Sequence, residues 1–433
     1  ILGITEGQNQ LKGQYVDLTA PGIIGGYKPA GLASEPSREY VYPCDDDRFE
    51  EVMVYYHVDA VQRAIQELGF TGQTGIMNRP IPAHAHFVGG FLSFYSKINR
   101  GIHFSDGSVT YPADAAEDAD VIIHEYGHAI QDDQVPGWGL LNLLQTRSMG
   151  EGFSDFLAAA LTGDPCLGEW FNVGIDACSP GIRTLENGVT WNGTAAENLP
   201  TWCDNGNDTH CAGLIWGGAL WDLVEVLGDD QSARDLVLRL ILDAHFYMDP
   251  ESDFGEALAA IRQADTDLYA GLHLSDIDAV FANRGISLDD LSDFPYVYYR
   301  IRHPLRGDLG IQILVGDVAN PDCTMNLRYP IPADSKADIV DYVDLESGPC
   351  EVYLPPTTSR PWRLQVRDAA AGNTGTIEDF VIALAKPPTQ RCIATDVPVS
   401  IPDDDGFVYS VVDCRNLISL LPYQIFLPLV AHD

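Results

Sequence analysis

Positive charge is scarce in this chain. Its 25 Lys and Arg residues face 63 Asp and Glu, a formal net charge of −38 over 433 residues. That balance argues against nucleic acid or an anionic membrane surface as a partner. Long apolar runs are also missing. The tail from Asn416 to Val430 is the most apolar stretch, but Pro422 and Pro428 interrupt it and it is too short to cross a bilayer. No transmembrane anchor and no signal peptide are visible. The chain starts abruptly at Ile1, so a secreted protein would have lost its leader and propeptide before this point. No internal repeat or low-complexity segment is present.

A CxxC spacing is absent as well, which disfavours a cysteine metal cluster. The nine cysteines instead fall into local pairs. Cys166 with Cys178, Cys203 with Cys211, Cys323 with Cys350 and Cys392 with Cys414 would each close a short loop, leaving Cys44 over. Short loops of this kind suit disulfides in an oxidising compartment.

The remaining composition is that of a globular protein with an ample core. Residues 1–47 are rich in turn formers and read as turns and short strands joined to the domain that follows. Residues 48–69 have helical periodicity, and 81–110 read mostly as strand, with FLSFY and GIHFSDG as candidates. Helices are expected over 115–134, 140–161, 211–227, 233–246, 254–264 and 275–283, the last with Ser275 as its N-cap. Strands first and helices afterwards describe an α+β domain over 48–292 with a cleft between its halves. From Tyr296 the pattern alternates with frequent turn signals and no helical stretch, which predicts an antiparallel β-sandwich over 293–387. Residues 388–433 form a C-terminal tail.

Chemistry concentrates in two strings, HEYGH at 124–128 and GEGFSDF at 150–156. On a helix, His124 and His128 lie about 40° apart around the axis, so both imidazoles share one face. Two such imidazoles can hold a zinc ion, and Glu125 beside them is placed to act as base on water. Glu151 offers a third ligand. Asp155, one turn later, can accept a hydrogen bond from a ligand histidine and fix its tautomer. His84 and His86, two apart on a strand, face the same way, but no third ligand is near them in sequence. The runs Asp45–Asp47 and Asp403–Asp405 are candidate calcium ligands without an EF-hand pattern, and calcium sites stay unassigned.

HEYGH with GEGFSDF resembles the gluzincin metallopeptidases, and its wording looks most like the fungalysin family. The resemblance covers roughly 48–290. It implies a thermolysin-like, two-lobed α+β catalytic domain with zinc on its active-site helix. By that resemblance His124, His128 and Glu151 are zinc ligands, Glu125 is the general base and Asp155 is the partner of His124. His210, opening HCAGLIWGGALWDL, matches the histidine that donates to the oxyanion, with Asp204 or Asp208 to orient it. Arg183 in GIRTLENG matches the arginine that binds the substrate carbonyl after the scissile bond. Ser93, Phe94 and Tyr95 fall on the edge strand that pairs with substrate backbone. Val121 and Ile182 fall where the pocket after the scissile bond is lined, which implies an apolar preference there. Leu92 departs from the thermolysin pattern, which has an asparagine at this place. The interval from His128 to Glu151 is longer than in thermolysin.

The segments IRHPLRGDLGIQIL and WRLQVRDAAAGNTGTIEDFVIAL resemble the P domain of secreted proteases, which implies a jelly-roll-like sandwich that stabilises or docks the protease. The function expected is a secreted, monomeric zinc endopeptidase acting on proteins or peptides. The alternative is a non-catalytic extracellular binding protein, with the sandwich as its working part and zinc only structural.

Overall fold

The computed structural model describes residues 3–288, apart from 6–8, 21–29, 72–74, 88–92, 98, 108–113, 136–137, 140–142, 172–180 and 249–251. From residue 296 to 416 it describes the backbone of the strands. Leu92, Cys178, Cys323, Cys350 and the Asp403–Asp405 run lie outside the described residues.

The first half is built on a four-stranded sheet in the order β1 (Val16–Asp17), β2 (Ile81–Phe87), β4 (Gly101–Ser105), β3 (Phe94–Ser96). β1, β2 and β4 are parallel, and β3 runs antiparallel to β4 as an edge strand. All of β4 and most of β2 is buried, as expected of parallel strands covered on both faces. The N-terminal segment therefore belongs to this sheet through Val16 and Asp17. Helix α1 (Arg48–Glu67) buries Val54, Val58, Val61 and Ile65 along one stripe.

Helix α2 (Ala119–Gln134) follows a single 3-10 turn. Asp118 caps it, accepting from the backbone N–H groups of Asp120 (2.9 Å) and Val121 (3.3 Å). The Tyr126 hydroxyl ties α2 to α1 by donating to Gln62 Oε1 at 2.9 Å.

Helix α3 (Leu144–Thr162) starts later than the apolar pattern suggests, with Leu143 extended before it, and ends at Gly163 in the left-handed region. Glycines set how closely α2, α3 and α4 (Thr209–Leu227) approach. A Cβ on Gly127 would lie 2.8 Å from Ser154 Cα on α3. A Cβ on Gly152 would lie 2.4 Å from the Gly213 carbonyl and 2.6 Å from the Gly217 nitrogen on α4. These crossings have no room for a side chain, so the functional side chains of all three helices meet at short range.

Short hairpins join α3 to α4: β5 (Cys166–Leu167) with β6 (Arg183–Thr184), and β7 (Thr190–Trp191) with β8 (Ala196–Glu197). Cys203 and Cys211 form a disulfide and Cys166 is disulfide-bonded, while Cys44 is free and exposed. Helices α5 (Gln231–Ala244), α6 (Phe254–Tyr269) and α7 (Leu274–Asn283) complete the helical half. Trp216, Leu220 and Trp221 are core residues. Ser275 is not the N-cap of α7. His273 holds that position, and Asp265 accepts from both its backbone nitrogen (3.0 Å) and its Nδ1 (2.7 Å). A buried carboxylate from α6 sets the start of α7 in place of a local serine.

In the C-terminal part, strands β9 (Tyr296–His303), β10 (Gly307–Leu314), β11 (Thr324–Ile331), β12 (Ala337–Asp344) and β13 (Arg363–Asp368) join β15 (Asp379–Leu384), β16 (Gln390–Ala394) and β18 (Phe407–Asn416) in one antiparallel array. Its order is β11-β10-β13-β18-β16-β15-β9-β12, and β14 (Gly375–Ile377) pairs separately with β17 (Val399–Ile401). β18 joins the two halves of the array. Residues 407–411 pair with β13 and 412–416 with β16. The register sets Cys392 opposite Cys414. The strand pairing thus continues past residue 387 to Asn416.

Candidate metal and catalytic centre

Three helices each deliver one part of the site. From α2, His124 Nε2 and His128 Nε2 face each other at 3.1 Å. From α3, Glu151 Oε2 lies 3.4 Å from His124 Nε2 and 3.8 Å from His128 Nε2. From the first turn of α4, His210 Nε2 lies 3.6 Å from the same oxygen.

Asp155 Oδ1 is 2.7 Å from His124 Nδ1, so in the neutral ring that nitrogen carries the proton and Nε2 keeps the lone pair that a metal ion would take. Two imidazole nitrogens and a buried carboxylate oxygen without a hydrogen-bond partner then converge on one point. Tetrahedral zinc with bonds of about 2.0–2.1 Å would set its ligand atoms about 3.3 Å apart. The observed separations bracket that value, so the residues present fit a zinc ion.

The electrostatics agree with a cation site. Burial disfavours charge on His124, yet Asp155, Glu151 and Glu125 outweigh it and raise its pKa to about 10. Carboxylates that draw a proton so strongly also draw a metal cation. Burial lowers His128 to about 4, which keeps that imidazole neutral, the form that ligates. Burial works against ionised Glu151, but His128, His124 and His210 hold it well below the usual carboxylate range.

Glu125 is 5% exposed and one of its oxygens has no hydrogen-bond partner. Burial first, then Glu151, raises its pKa to about 7 against the pull of His124 and Arg183. A carboxylate balanced there takes and returns a proton near neutral pH.

Arg183 makes a bidentate pair with Asp155, Nε to Oδ2 at 2.6 Å and Nη2 to Oδ1 at 2.7 Å. Asp155 is thereby fixed between a guanidinium and the His124 ring, and is held at a pKa of about 2 although burial opposes it. The sequence motif alone does not reveal this clamp. Of the two aspartates left open as partners of His210, Asp208 Oδ1 lies 3.4 Å from its Nδ1, and Asp208 also caps α4.

Two cavities meet at this group. The smaller, about 170 Å³, is lined by Val121, Leu167, Phe171, Ile182 and Arg183. Its far wall is tied to the start of α2. Asp120 Oδ2 accepts from Gly168 N at 3.0 Å, and Asp118 Oδ2 accepts from Trp170 N (3.1 Å) and Phe171 N (2.8 Å). Neither the Asp118 cap, which lies inside the helix expected over 115–134, nor its hold on residues 170–171 was legible, because nothing local in sequence joins Asp118 to them. The larger cavity, about 750 Å³, runs the other way past Phe94, Tyr95, Gln131, Asp132 and Trp138. Ser93 and His210 line both cavities, and Tyr95 hydrogen-bonds Asp132 Oδ2 at 2.9 Å.

His84 and His86 stand apart from the site. His84 stacks on His103 with ring centroids 4.7 Å apart. His86 is held between Asp106 Oδ1 (2.9 Å) and the Asp47 carbonyl (2.7 Å). In the Asp45–Asp47 run, Asp46 pairs with Arg48.

The family model for the fungalysin metallopeptidases (M36) matches residues 49–289. An extracellular metalloproteinase of Aspergillus niger is 25% identical over 283 residues, covering 54% of this chain and 43% of its own length. One of Pyrenophora tritici-repentis is 30% identical over 201 residues, covering 40% of this chain and 30% of its own. The chain thus spans less than half the length of these relatives. Among solved structures, the precursor of protealysin, a metalloproteinase from Serratia proteamaculans, aligns at a TM-score of 0.48 and 13% identity, covering 63% of this chain and 86% of that one. With the match spanning more than half of its residues, this chain belongs to the fungalysin metallopeptidase family.

Proposed function

We propose that the protein is an extracellular zinc endopeptidase. The observation that carries this reading is the convergence of His124, His128 and Glu151 beside a buried Glu125 at the junction of two cavities. A zinc ion held by these three residues supplies Lewis acidity and lowers the pKa of water beside it toward neutrality.

Glu125 takes the proton from the attacking water and passes it to the leaving amine nitrogen. His210 donates a hydrogen bond to the oxygen on which negative charge grows, an interaction that strengthens only toward the transition state. Arg183 holds Asp155, and Asp155 holds the His124 ring, so the ligand geometry is set before substrate arrives. The edge strand β3 offers backbone groups for pairing with an extended peptide. The cavity of Val121, Leu167, Phe171 and Ile182 takes a bulky apolar residue after the scissile bond. The names of the fungal relatives and the Cys203–Cys211 disulfide support action outside the cell.

The test is hydrolysis of casein or a quenched peptide by zinc-loaded protein, alongside Glu125→Gln with its zinc content measured. Hydrolysis by the wild type alone, with zinc retained in both, is the expected result. Equal rates in the two proteins would remove Glu125 from the reaction, and no hydrolysis by stoichiometrically loaded wild type would favour the binding-protein reading. His210→Ala should lower kcat by roughly 10²–10³ if it supplies one oxyanion hydrogen bond.

A further inference from the structure

The larger cavity has a polar floor that the catalytic reading leaves unused. Gln131, three residues after His128 on α2, is 1% exposed, and its Oε1 has no hydrogen-bond partner. Trp138 is 6% exposed, and its indole Nε1–H has none either. Both residues line the cavity together with Gly150. A Cβ on Gly150 would sit 3.1 Å from Trp138 Nε1 and 3.2 Å from Gln131 Oε1. The two groups therefore flank one small space, which exists because residue 150 has no side chain.

The polarity of this floor is set from deep in the core. Gln134 Nε2 donates to the Leu242 carbonyl at 2.6 Å, so its Oε1 faces His245 as an acceptor. His245 Nδ1 is 2.9 Å from that oxygen and donates to it. The neutral ring then presents a lone pair at Nε2, which accepts from Gln131 Nε2 at 3.3 Å. Burial lowers His245 to about 3, in keeping with a neutral ring. With its amide nitrogen occupied, Gln131 must turn its oxygen toward the cavity. The floor thus offers one fixed acceptor and one fixed donor.

We infer that Gln131 and Trp138 form a specificity subsite for a substrate side chain that both donates and accepts, a primary carboxamide (Gln or Asn) before all others. This inference rests on the peptidase reading above. A carboxylate would satisfy Trp138 but set its lone pairs against Gln131 Oε1. A cationic side chain would satisfy Gln131 and oppose the indole N–H. An apolar side chain would leave both polar groups unpaired and dry, which is unfavourable. A carboxamide answers both through two different atoms. Because the Val121–Ile182 cavity is assigned to the residue after the scissile bond, this subsite takes a residue before it.

The test compares quenched peptides that differ only by Gln or the near-isosteric Met, at successive positions before a shared scissile bond, cleaved by zinc-loaded wild type, Trp138→Phe and Gln131→Met. At one position the wild type should prefer Gln by about tenfold in kcat/KM, the scale of one or two hydrogen bonds left unmade in a buried site. Both variants should bring that ratio toward one. Cleavage of both peptides at equal kcat/KM by the wild type overturns the inference and leaves the floor as the seat of an ordered water only, with the peptidase reading intact. So does a Gln preference that survives in both variants. Cleavage of neither peptide brings down the peptidase reading and this inference with it.

Discussion

The two cavities share a wall of Ser93, His124, Glu125 and His210, yet beyond it they differ in size and in lining. One is small and lined by Val121, Leu167, Phe171 and Ile182. The other is more than four times larger and carries Lys97, Gln131, Asp132 and Arg147. A single face of α2 feeds both, since Val121 lies three residues before His124 and Gln131 three after His128. In the proposed reading the zinc motif carries the chemistry, while the turns on either side of it, with what other elements bring up to them, give the two cavities their different linings.

The largest effect should come from breaking the part common to both. Asp155→Ala removes the carboxylate held by Arg183 and by His124. It should cost about 3–5 kcal/mol of stability, as expected when one member of a buried ion pair is deleted. Metal affinity should fall by about 10–100-fold. Thermal denaturation and competition with a chelator measure the two, and unchanged values in both would show that the clamp does not support the site.

The next effect belongs to the polar side alone. His245 has a folded-state pKa of about 3, below its ordinary value of about 6.5. The unfolded chain therefore binds more protons between these values, and stability falls as pH drops through that window. By pH 5 the contribution of this residue should amount to about 2 kcal/mol. Urea unfolding between pH 7 and 5 should be less pH-dependent in His245→Gln than in the wild type. Equal slopes would place a charged ring in the folded state.

A smaller loss should follow on the apolar side. Asp118→Ala removes the α2 N-cap and the acceptor for the backbone of Trp170 and Phe171. Stability should drop by about 1–2 kcal/mol. Selectivity after the scissile bond should relax, with the Gln preference before it untouched. Smallest of all, Ile182→Val should cost about 0.5–1.5 kcal/mol if the side chain packs as a wall. It should shift the preference after the scissile bond toward larger apolar residues. Cleavage-site profiling checks both substitutions, and loss of preference on both sides would mean that the cavities are not independent.

Much of this layout could be read from residues alone. The 3.6-residue period marked α1, α2 and α4 to within a few residues, because each buries one apolar stripe. HEYGH set two imidazoles on one face, and GEGFSDF offered Glu151 and Asp155 one turn apart. The span of α7 was right to within one residue, but its N-cap was misassigned because the anchor of that end, Asp265, reaches it from another helix. His86 offered a ligand on paper, but Asp106 and the Asp47 carbonyl take up its nitrogens. Neither outcome has a local signature.

By itself, then, the sequence determined which side chains are the candidates for the proposed chemistry and which helices hold them, since helical spacing is a property of the backbone and needs no tertiary partner. Tertiary structure decided everything that depends on distance between helices. The close crossings at Gly127 and Gly152 bring Glu151 and His210 to the α2 histidines. The Arg183 clamp orients His124 through Asp155. The chain of amide and imidazole bonds from Leu242 turns the Gln131 oxygen into the cleft. Such contacts join residues far apart in the chain, and only packing brings them within hydrogen-bond range.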